Sequence, residues 1–195
     1  MNDLSEPLPM YGNRYALAGW LAIASALLFF PELGAAFFLD RLSRYIPEIQ
    51  ILAVLLKAVG LAIGVYILYI FRQLLNGRYD FHKANNLILV LIWCNVVFFI
   101  IGIAGLFHSL ERSAAMITII LFVPFGIITV IYGVALLKLQ DDLFGLLKPY
   151  AYTNIVAGVG AATIILAPIG LIAALASLVI MGLIFLRAKE DTEFL

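Results

Sequence analysis

Long apolar runs separated by short polar breaks set the organisation of this chain. Hydrophobic stretches cover Ala16–Phe38, Ile49–Phe71, Leu87–Phe107 and Ala114–Leu137, and a fifth extends from Ile155 to Leu186. A helix rises ~1.5 Å per residue, so roughly 20 residues cross a hydrocarbon core of ~30 Å. Each of the first four runs therefore predicts one membrane-spanning helix. The fifth is too long for a single crossing, and "LAPIGL" near its middle places Pro168 and Gly170 where a helix breaks. The pattern predicts an all-α, polytopic integral membrane helix bundle, one membrane domain over residues 1–195. Its spans are expected near 16–38, 49–71, 87–107, 114–137, 150–167 and 169–187. Six crossings are expected; five is the alternative, with the last run as one kinked helix.

Loop charges bear on that choice. Arg14, Arg72, Arg78, Lys83, Lys138 and Lys148 fall on one side of the spans, and Arg41, Arg44 and Arg112 on the other. With six crossings the tail residues Arg187 and Lys189 join the richer side, which gives a positive-inside bias. Both termini are then expected in the cytoplasm, in a bacterial-type cytoplasmic (inner) membrane. The opening "MNDLSEPLPMYGNRY" is acidic before Arg14, unlike the basic start of a secretory signal, so the first helix is expected to be retained.

Composition agrees with the periodicity and removes several function classes. Hydrophobic residues make up 65% of the chain and charged residues 12%, about half the usual charged share. Acidic and basic side chains balance, so no basic field exists to attract nucleic acid. The one cysteine, Cys94, excludes an internal disulfide framework and is expected to be a buried thiol. No HExxH, GxSxG or glycine-rich phosphate loop is present. No enzymatic activity, cofactor or metal is expected on these grounds.

The candidate residues are the polar and small ones inside the spans. Glu32 follows Pro31 in "LFFPELG", and Lys57 lies in "ILAVLLKAVG" on the antiparallel second span at nearly the same depth. A lone charge in a span costs roughly 2.5–3.5 kcal/mol, so an ion pair between them is expected. Asn95 in "WCNVV" is the third intramembrane polar candidate, read first as a hydrogen bond across a helix interface. Ala53, Lys57, Gly60 and Gly64 share one helical stripe, and Gly60–Gly64 has the spacing by which membrane helices approach closely. Proline–glycine breaks recur at Pro31, Pro124 and Pro168 with Gly170, and are read as helix-packing features. Tyr66, Tyr69, Tyr132, Tyr150 and Tyr152 are expected in an interfacial aromatic belt.

Two loops complete the reading. "FRQLLNGRYDFHKANN" clusters Arg72, Arg78, Asp80, His82 and Lys83, a patch suited to anionic headgroups or a soluble partner. "KLQDDLFGLLKPYAY" is amphipathic and is expected to rest at the interface. The expected function is that of a small membrane component with the bilayer around it, associating with itself or with a partner membrane subunit. The alternative is a small oligomeric transporter or channel with a polar pathway including Glu32, Lys57 and Asn95.

Overall fold

The computed structural model describes the backbone of residues 9–42, 47–107, 109–163 and 165–193. These form six α-helices and no strand. They are α1 (Pro9–Leu42), α2 (Pro47–Tyr79), α3 (Asn85–Ala104), α4 (Glu111–Leu136), α5 (Leu147–Thr163) and α6 (Ala167–Glu193). A single 3-10 turn, Leu143–Gly145, lies between α4 and α5. All helices but α5 are long and apolar enough to cross a membrane, so the chain is a helical membrane bundle. The 34 residues of α1 and 33 of α2 would measure ~50 Å, which requires tilt or projection beyond a ~30 Å core.

The helical boundaries refine the sequence pattern. Helix α1 continues through Pro31 and α4 through Pro124, so neither proline ends a helix. The break expected between residues 167 and 169 lies earlier, with a turn at 165–166 before α6 begins at Ala167. Pro168 falls in the first turn of α6, where its missing N–H removes no helical hydrogen bond. It begins a helix instead of interrupting one.

Side-chain contacts fix the helix directions. Gly160 and Gly170 meet near the tip of the α5–α6 hairpin, while Tyr150 reaches Met181 farther down, so α5 and α6 are antiparallel. Tyr15 stacks on Phe185, which places the start of α1 beside the end of α6. The main contacts run from each helix to the next and from α6 back to α1, closing a ring.

One end of that ring, here called the base, is filled. Phe71 of α2 reaches Tyr150 of α5 (ring centroids 5.2 Å) and Phe185 of α6 (6.0 Å). Leu74, Leu75, Ile88, Leu136 and Ile184 close around this aromatic hub, all fully buried. Tyr132 and Tyr150 belong to it as well, 1% exposed each, and so are not belt residues. Their rings supply the bulk that fills the ring's axis; Tyr69 and Tyr152 remain exposed. The segment after α4 departs from expectation in the same way. Leu139, Leu143 and Leu147 are buried in the hub, because the loop folds under the bundle instead of lying along lipid.

Candidate functional site

Glycine marks the seams where helices touch. A methyl group added to Gly126 of α4 would stand 2.5 Å from the carbonyl oxygen of Gly158 on α5. At Gly133 it would meet the Ala151 oxygen at 2.8 Å, and at Gly160 the Gly170 Cα at 2.5 Å. On the α1–α6 seam, Gly182 stands equally close to the Gly19 oxygen, 2.8 Å. Such contacts allow membrane helices to gain dispersion energy that larger side chains would block. In the sequence, the heptad spacing of Gly126 and Gly133 is the signal for this face.

Gly60 and Gly64 behave differently. They share the α2 face that carries Ile67 and Phe71, both buried at the base. Yet Gly60 is exposed, and a methyl group on Gly64 would find no atom within 4 Å. The face that packs inward at the base is therefore open at Gly64, one turn farther along, and exposed at Gly60; this stretch is here called the slot. Among the described residues, none comes within 4 Å of the Cβ position of Gly64.

The charged candidates flank the same half of α2. Lys57 is half-buried, and its aliphatic stem runs 4.0 Å from the Cβ position of Gly102 on α3. Gly102 is in the last turn of α3, where unsatisfied carbonyls favour a cation. Glu32 stands ten residues before the end of α1 and Lys57 ten residues after the start of α2, which gives similar levels in the α1–α2 hairpin. The Glu32 side chain, and with it the expected ion pair, lies outside the described residues. Asn95 donates its amide to Leu91 O on its own helix, 2.8 Å, and not to another helix.

A polar network that the sequence did not reveal links three helices just above the hub. Tyr132 and Tyr150 share a hydroxyl contact of 3.1 Å, and the Tyr150 hydroxyl donates to Met181 Sδ at 3.2 Å. Asn154 donates to Ser177 Oγ of α6, 2.8 Å. Thr118, Thr129 and Thr163 donate to backbone carbonyls one turn earlier, as short hydroxyl side chains can in a helix. The signal was present in the i, i+4 spacing of Tyr150 and Asn154, but nothing local identifies partners on α4 and α6.

The predicted loop patch is divided. Arg72 donates to Asn85 Oδ1, 3.2 Å, tying α2 to α3. Arg78 turns to Asp191 on α6, 2.5 Å, and lies 5.1 Å above the Phe144 ring. Asp80 and His82 face each other at 3.4 Å in solvent, and Lys83 is exposed beside them. Elsewhere, an open apolar groove of about 280 Å³ separates α3 from α4, lined by Trp93, Cys94, Val97, Phe98, Pro124 and Phe125. Cys94 is half-buried on the wall of this groove instead of fully enclosed. Comparison with protein-family models, curated proteins and solved structures gives no match for this chain.

Proposed function

We propose that the protein is a non-catalytic membrane component that works by helix-face association, with the slot beside Gly60 and Gly64 as its contact surface. One observation carries this reading. The chain places glycine against a neighbouring helix at Gly126, Gly158, Gly160 and Gly170, whereas Gly60 is exposed and a methyl group on Gly64 would meet no described atom within 4 Å. A helix from a second copy or from a partner membrane subunit would meet there the same small surface that α4 and α5 present to each other. The filled hub at Phe71, Tyr132 and Tyr150 supports it further, since a dry plug suits a scaffold better than a pore. In this reading the base faces the cytoplasm, following the positive charges around it.

The test is to purify wild type and the Gly60→Leu/Gly64→Leu variant from native membranes in lipid nanodiscs. Wild type is expected to bring a stoichiometric second chain that the variant lacks, with both variants equally folded. Equal recovery from both, or a lone wild-type chain, rejects the proposal. The matching levels of Glu32 and Lys57 favour a second reading, a solute pathway through the slot. Glu32→Gln with Lys57→Met separates the two: loss of ion flux in a folded variant supports transport, and unchanged association without flux supports the first reading.

A further inference from the structure

The connection between α4 and α5 carries an arrangement that neither the association reading nor the ring requires. Leu143, Phe144 and Gly145 take φ values of 43°, 62° and 80° in succession. Glycine adopts this left-handed region without strain; leucine and phenylalanine do so only where their surroundings hold them. Two of the holding contacts are arginines from different helices. Arg187 of α6 donates to the Phe144 carbonyl at 2.6 Å. Arg78 of α2 lies over the Phe144 ring and is itself fixed by Asp191. Beneath them Leu139 and Leu143 are inserted into the hub, 8% and 1% exposed. The turn's own backbone hydrogen bonds, from Gly145 N and Leu147 N to Asp142 O and from Leu146 N to Leu143 O, are local and reach only the first residue of α5.

We propose that residues 137–146 form a latched strap across the base of the ring, seated by Arg78 and Arg187 and released when those two contacts are lost. Seated, the strap covers the hub of Phe71 and Tyr150 with Leu139 and Leu143. Released, the left-handed turn relaxes, the two leucines withdraw and water reaches the hub. The strap is thus a conformational device that couples the ends of α2 and α6 to closure of this end of the bundle. It does not rest on the slot beside Gly60 and Gly64.

Amide hydrogen exchange in lipid nanodiscs tests it. Arg78→Gln with Arg187→Gln is expected to speed exchange at Leu143–Leu147 by about tenfold or more while the middle turns of α4, α5 and α6 keep their wild-type rates. Arg78→Asp alone is expected to act in the same direction, because it removes the cation over the Phe144 ring and sets a carboxylate against Asp191. Should the double glutamine variant fail to insert, Arg78→Lys reads the same contact, since it keeps the charge facing Asp191 and loses the planar stacking on Phe144. Its expected effect is a smaller acceleration confined to the strap. Unchanged exchange, or acceleration spread evenly over α4 to α6, would each overturn the proposal.

Discussion

Helices α4 and α2 both carry a pair of glycines on one face, and they use them in opposite ways. Gly126 and Gly133 lie a heptad apart and are pressed against α5 so closely that no methyl group would fit. Gly60 and Gly64 lie one turn apart; Gly60 is exposed, and the space beside Gly64 is open among the described residues. The contrast has a physical source. Lipid tails are as apolar as leucine, so burying apolar surface does not bring membrane helices together; close backbone packing does. A glycine pair therefore marks a place prepared for contact, and whether the contact is internal depends on which helices the connections bring within reach. Helix α5 follows α4 after a short strap and docks along it, whereas no described atom lies against the Cβ position of Gly64 on α2.

Several substitutions would break or sharpen that contrast. The largest effect is expected from Gly126→Leu, which drives a side chain into the α5 backbone. Overpacking of this kind costs about 1–3 kcal/mol and here should reach or exceed the upper value, read as a lower unfolding midpoint in detergent titration. Gly64→Ala should have the opposite sign, because the site is open and alanine is the better helix former. A gain of about 0.5–1 kcal/mol in the isolated chain is expected by the same titration. Tyr150→Phe removes the hydroxyl that meets Tyr132 and Met181 while keeping the ring in the hub. A loss of about 1 kcal/mol is expected, and combining it with Tyr132→Phe should add less than the sum of the two. Asn95→Leu should be nearly silent for stability, within about 0.6 kcal/mol, since its described hydrogen bond returns to its own helix. A large loss there would reveal a cross-helix contact and favour the pathway reading.

Most of the architecture was legible in the chain because bilayer thickness converts apolar length into helix count. The five long helices follow from uninterrupted hydrophobic runs. The turn before Pro168 was misplaced by a few residues because proline both ends and begins helices, and its sequence neighbourhood is apolar in either case. The tyrosines divide along a similar line. Tyr69 and Tyr152 are exposed, while Tyr132 and Tyr150 are buried. All four lie near span ends, where an amphipathic ring suits the interface and the filled base of the ring equally well. Only the meeting of α2, α4, α5 and α6 at the hub decides between them. The loop arginines were legible as charges but not as contacts: Arg78 finds Asp191 across 113 residues of sequence. The glycine seams were half legible, since spacing identifies the face and tertiary structure supplies the neighbour.

Central to this account is that the slot beside Gly60 and Gly64 receives another polypeptide helix. A photo-crosslinking amino acid at Leu56, one helical turn from Gly60 and exposed, probes it directly in native membranes, with the exposed Ile120 of α4 as the comparison site. The account predicts a discrete protein adduct from Leu56 and none from Ile120, lost when Gly60 and Gly64 are both leucine. Adducts with lipid alone at both positions, or a Leu56 adduct that survives the leucine pair, would contradict it.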